Sequence, residues 1–157
     1  MTKRMNNNNK HKYEIILTIL ISVTLAVIWI HSMMPGDVSS EESGFVYELL
    51  APFLKVLLPD EWVTEHLVRK MAHFSEYAVL GVEMMALAGL RGRVRPQFLV
   101  NVLYSGLTVA FIDETIQIFS GRGAMIADMW IDLAGFAVGG ALTFLIGFRP
   151  HKEIDRK

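Results

Sequence analysis

The chain is built of long apolar runs parted by short charged breaks. Ile15 to Ile30 is apolar except for Thr18, Ser22 and Thr24. Extended over residues 14–34, it reaches the roughly 20 residues that a helix needs to cross the hydrocarbon of a bilayer. Runs at 67–90, 97–119 and 125–148 are as long but carry ionisable residues. The pattern predicts an all-α integral membrane protein, a bundle of about four transmembrane helices at about 14–34, 67–90, 97–119 and 125–148. Arg91 to Pro96 parts the second run from the third. Ser120-Gly121-Arg122-Gly123 makes a short turn after the third. A basic start precedes the first run, as in a signal peptide. The run is long for that role, and Trp29, His31 and Met33 make no small-residue cleavage site, so an uncleaved anchor is expected.

The segment between the first two runs is acidic. Ser39 with Glu42 reads as a capping box, and Phe45, Val46, Leu49, Leu50, Phe53, Leu54, Leu57 and Leu58 recur at helical spacing. This stretch, about 40–58, is too short to span. It reads as an amphipathic helix on the outer face, kinked near Pro52, with a loop helix packed on the bundle as an equal alternative. Residues 1–12 include an Asn tract and are expected to be a disordered cytoplasmic N-terminus, and 149–157 a cytoplasmic tail. The whole of 1–157 reads as a single domain without internal repeat.

Composition agrees: 52% of the residues are apolar, high for a soluble domain. The absence of cysteine removes disulfide and thiolate chemistry. A net charge of −1 conceals an uneven distribution. With both termini and the Arg91–Arg95 loop placed in the cytoplasm, eleven of the fifteen Lys and Arg lie inside. The positive-inside rule therefore favours a multi-pass protein of the plasma membrane with both ends cytoplasmic. Nothing in this distribution suggests nucleic acid as a partner; the partner it implies is the lipid bilayer.

That orientation brings charge from separate segments to one level. Arg69, Lys70, His73, Glu76 and Tyr77 lie at the outer end of the second helix, and Asp113, Glu114 and Gln117 at the outer end of the third. Arg122 is in the outer turn, and Asp128 and Asp132 begin the fourth helix. On the second helix Arg69, His73, Glu76 and Glu83 share a narrow arc flanked by Lys70 and Tyr77, and the polar residues of the third and of the fourth helix likewise share a face. Gly135 and Gly139 continue the Asp128–Asp132 face in small-xxx-small spacing, a packing seam within the chain or between chains. Glu76, Glu83, Asp113, Glu114, Asp128 and Asp132 would together cost on the order of 15 kcal/mol facing lipid. They are expected to face one another, a wet cavity or the interface. Helix glue is the bland reading of such groups. Their number at one depth favours a functional site, while Glu83, deeper and alone, reads as structural.

Three motifs in order resemble the VanZ-like family. They are Arg69-Lys70-Met71-Ala72-His73-Phe74-Ser75-Glu76-Tyr77, Asp113-Glu114-Thr115-Ile116-Gln117 followed by Gly121-Arg122, and Asp128-Met129-Trp130-Ile131-Asp132-Leu133-Ala134-Gly135. Ser32-Met33-Met34-Pro35-Gly36 is similar too, and the resemblance covers about residues 14–148. The chain departs from the family at Asp132, where many members carry Asn.

The resemblance implies a small bacterial membrane protein of the kind whose founding member is associated with teicoplanin resistance. A role in the cell envelope or in glycopeptide resistance is expected, with a lipid-linked envelope precursor or a glycopeptide as partner. As an enzyme it would use His73, Glu76, Asp113, Glu114 and Asp128 for acid–base work. Lys70, Tyr77, Gln117, Arg122 and Asp132 would hold substrate. A divalent cation at His73, Glu76, Asp113 and Asp128 is a further possibility. The alternatives are a non-catalytic binding or accessory protein and a proton- or ion-coupled transporter. The spacing matches no known catalytic motif, so whether the chain is an enzyme stays open here, as does its oligomeric state.

Overall fold

A computed structural model describes residues 6–92, 96–122 and 125–147. They form five helices: α1 (Asn7–Met33), α2 (Gly36–Leu57), α3 (Glu65–Leu90), α4 (Pro96–Phe119) and α5 (Ile126–Gly147). A single 3-10 turn, Asp60–Trp62, precedes α3. No strand occurs among the described residues. Three of the helices, over Asn7–Met33, Gln97–Phe119 and Ile126–Gly147, are long and apolar enough to cross a membrane.

The expected second span, α3, has the length but not the apolarity. It carries Glu65, Arg69, Lys70, Glu76 and Glu83 along 26 residues. Its start is fixed by Thr64, whose hydroxyl accepts from the Leu67 N–H. α3 is the hub of the bundle. It packs along α5 and touches α1, α2 and α4. The core lies around it, where Tyr77, Leu80 and Met85 meet Ile28, Val102, Ala110 and Phe136.

The close approach of α3 and α5 rests on glycine. A Cβ on Gly135 would sit 2.3 Å from the Phe74 carbonyl oxygen, and one on Gly139 1.9 Å from that of Ala78. From the other side, a Cβ on Gly81 would sit 2.1 Å from the Phe136 carbonyl oxygen. The expected glycine seam thus packs within the chain, backbone against backbone.

Two local expectations change. Helix α1 begins at Asn7, so Asn7 to Lys12 are helical and not disordered. Asn6 caps the helix, accepting the Asn8 N–H on its side chain and the Lys10 N–H on its carbonyl. Met1 to Met5 and the tail 149–157 lie outside the described residues. Helix α2 begins at Gly36, earlier than expected, with Pro35 at its cap and no side-chain cap bond. Ser39 and Glu42 are therefore inside the helix, and the capping box does not form. Pro52 lies within α2. The helix packs on α3, with Ser39 and Ala51 buried, while Phe45, Leu49, Phe53 and Val56 form an exposed stripe.

Candidate functional site

Antiparallel packing sets which charges can meet. α1 and α4 end, and α3 and α5 begin, at the same end of the bundle. Each delivers its polar residues there, within about two turns of its own terminus. The centre is Asp113 on α4, fully buried. The Ser32 hydroxyl on α1 donates to its Oδ1, and Gln117 Nε2, one turn on along α4, donates to Oδ2 at 3.1 Å. His73 Nδ1 on α3 stands 3.9 Å from the same Oδ2 and 3.8 Å from Asp132 Oδ1 on α5. Asp132 is buried, and neither of its oxygens has a hydrogen-bond partner among the described residues. Donor atoms of His73, Asp113 and Asp132 all lie within 4.8 Å of one another, close enough to hold a metal ion.

The other candidate residues are drawn off to partners around this centre. Glu76 Oε1 meets His31 Nδ1 at 2.7 Å, and Lys70 Nζ meets Asp128 Oδ1 at 2.9 Å. Glu114 Oε2 accepts the Met125 N–H at 3.0 Å, while its buried Oε1 has no partner among the described residues. Glu76 and Asp128 therefore leave the expected cation set, and Asp132 takes a place in it. The physical reason is charge neutralisation: a carboxylate already paired with an imidazole or an ammonium gains less by turning inward. Tyr77 is fully buried, its hydroxyl has no hydrogen-bond partner among the described residues, and it lines neither of the two cavities at this end.

Arg122 ties the turn after α4 to α1, donating from Nη1 to the His31 carbonyl at 2.9 Å. Ser120 makes a second tie, donating to the Ser32 carbonyl at 2.8 Å. Burial and then the neighbouring Arg69 lower the Arg122 pKa, against the pull of Asp113, Glu114 and Asp128. From so high a starting value the guanidinium stays charged at neutral pH. Arg69 itself reaches α2, donating to the Ser43 and Ser40 hydroxyls at 3.3 and 3.4 Å.

A cavity of about 270 Å³ lies in the midst of these groups, lined by Arg69, Lys70, His73, Glu114, Gln117, Arg122, Asp128 and Asp132. A second, of about 600 Å³, lies under α2, lined by His31, Glu76, Arg69 and Arg122 together with Phe45 and Val46. Cations, buried acids and the imidazoles of His66 and His73 thus share a small space at the end of an apolar bundle. Such a space can take an anionic group, move a proton or hold an ion.

Reasoning from the sequence missed His31 and Ser32 as members of the site. Their signal was present: two adjacent polar residues close the first apolar run, at the end where the other charges gather. Glu83, deeper in α3, accepts from the Thr24 hydroxyl at 3.1 Å, and its second oxygen has no partner among the described residues.

A family model described as VanZ/LLP1 matches residues 16–147. No curated protein and no solved structure matches the chain.

Proposed function

We propose, for a chain that belongs to the VanZ/LLP1 family, that it crosses the bacterial plasma membrane four times and takes the polar head of a lipid-linked cell-envelope molecule into the outer end of its bundle. The observation that carries this reading is the smaller cavity, where Arg69, Lys70 and Arg122 stand with His73 and buried acids. Guanidinium and ammonium groups suit a phosphate or carboxylate head. A volume of about 270 Å³ is just below the range for drug-sized ligands and suits a head group with its chains left in the bilayer.

The fourth crossing is α3. At ~1.5 Å per residue its 26 residues have the reach. Lys70, Glu76 and Glu83 are turned to Asp128, His31 and Thr24, which lowers the cost of placing them at membrane depth. The excess of Lys and Arg at the opposite end supports the outward orientation of the site, with both termini cytoplasmic. The exposed stripe of α2 then lies along the outer bilayer interface.

In the catalytic form of this reading, His73 beside Asp113 is the acid–base pair. Glu114, which lines the cavity and has one oxygen without a hydrogen-bond partner among the described residues, is the second proton-transfer group. Glu76 and Asp128 hold His31 and Lys70 in place. Lys70, Gln117, Arg122 and Asp132 line the head-group space, and Tyr77 supports His73 from one turn along α3. Such handling of an envelope precursor gives resistance to teicoplanin-type glycopeptides by altering or shielding their target. A non-catalytic binding protein is favoured by one observation: both oxygens of Asp113 already accept hydrogen bonds. Transport has less support, since Glu83 is the one charged side chain between the cluster and the far end of the described parts of α3, α4 and α5.

The test is the purified protein in lipid nanodiscs with a polyprenyl-phosphate-linked precursor. Arg122→Ala should weaken binding about tenfold or more, from the loss of a charged hydrogen-bond donor. His73→Ala should abolish turnover while binding persists. Binding unchanged in Arg122→Ala removes the head-group reading. Equal turnover in the wild type, His73→Ala and Asp113→Asn removes the acid–base one.

A further inference from the structure

Asp132 is 1% exposed, and both of its carboxylate oxygens lack a hydrogen-bond partner among the described residues. Leaving a buried carboxylate unpaired is costly, and most buried polar groups are satisfied. His73 Nδ1 faces Asp132 Oδ1 at 3.8 Å and Asp113 Oδ2 at 3.9 Å, too far for hydrogen bonds and too close for solvent to intervene in number. Ligand atoms at ~2.0–2.2 Å from a shared ion stand roughly 3–4 Å from one another; His73 Nδ1 has that spacing to both carboxylates, and all three donor atoms lie within 4.8 Å.

We propose that His73, Asp113 and Asp132 bind one divalent transition-metal ion of the Mn²⁺ or Zn²⁺ class. One imidazole nitrogen with two carboxylate oxygens suits these ions better than Mg²⁺ or Ca²⁺, which prefer oxygen alone. The ion would stabilise the ionised form of two buried carboxylates that one imidazole cannot balance. Asp113 is already oriented for the task, since the Ser32 hydroxyl and the Gln117 amide fix its plane. His73 and Asp132 also line the cavity of about 270 Å³, which provides a path of entry and leaves coordination positions open. The proposal goes beyond the head-group reading and stands without it; with the ion bound, His73 and Asp113 act as its ligands in place of the acid–base pair.

The experiment uses the full chain purified in detergent, stripped with a chelator and titrated with Mn²⁺ while free ion is followed by electron paramagnetic resonance. The expected result is one saturable equivalent, displaced by Zn²⁺ and not by Mg²⁺, with nitrogen coupling from one histidine in the pulsed spectrum. Asp132→Asn should weaken binding about tenfold or more, and His73→Gln should erase the nitrogen coupling. Glu83→Gln should bind as the wild type does. No saturable binding, no nitrogen coupling in the wild type, or equal affinity in Asp132→Asn overturns the proposal. The wild-type nitrogen signal decides the matter even if a variant fails to fold. Binding that all variants share marks an adventitious surface site and also overturns it. Precursor binding and turnover are read separately, so failure here leaves the head-group reading to its own test.

Discussion

Asp113 is anchored at both oxygens, and its neighbours depend on it as acceptor. Asp113→Ala would leave the Ser32 hydroxyl and the Gln117 amide buried without a partner. The expected cost is about 1–3 kcal/mol, read as a lowered midpoint of thermal unfolding in detergent. Asp113→Asn keeps an acceptor oxygen and should cost less. An unchanged midpoint in Asp113→Ala would show that this network contributes nothing to stability. The Lys70–Asp128 pair is a contrasting case, since its side chains are 25% and 28% exposed. Partial exposure screens such a pair, so a double-mutant cycle with Lys70→Met and Asp128→Asn should give a coupling of only about 0.2–1 kcal/mol.

Among elements, the α3–α5 contact is the most demanding of shape. The two helices meet backbone to backbone at Gly81, Gly135 and Gly139, with no room for a side chain. Gly139→Val should cost about 3 kcal/mol or more, because its Cβ would meet the Ala78 carbonyl and force the helices apart. Gly147→Ala is the control: the same helix offers open space there, and the change should be neutral or slightly stabilising. Equal unfolding midpoints for Gly139→Val and wild type would show that the helices pack differently. Separating α3 from α5 would also part His73 from Asp132, so the seam sets the geometry of the site as well as stability.

At the scale of the whole molecule, the open quantity is direction. Because the chain has no cysteine, single-cysteine variants need no background substitutions. On intact cells a membrane-impermeant maleimide should label Glu61→Cys, before α3. It should label Arg91→Cys, after α3, only once the membrane is opened. Labelling of both positions on intact cells would mean that α3 does not cross, and the reverse pattern would invert the protein. Either result would move the polar cavities away from the outer leaflet.

The bounds of α3, α4 and α5 and the end of α1, though not its start, were readable from the chain, because an apolar run of fixed length has few structural options. So was the meeting of charge at one end, since antiparallel helices carry their termini to alternate ends. Partner choice was not readable. His31 takes Glu76 and Lys70 takes Asp128, while Ser32 and Gln117 hold Asp113, and these pairings depend on helix rotation at the scale of an ångström. The start of α2 was missed because Ser39 and Glu42 mimic a cap that burial of Ser39 against the bundle overrides. Sequence alone thus determined an all-helical membrane protein whose acidic residues within α3, α4 and α5, Glu83 apart, gather at one end, since hydrophobicity and length act locally. Only the tertiary packing decided that His73, Asp113 and Asp132 would converge, because that depends on how closely the glycine seam lets α3 and α5 approach.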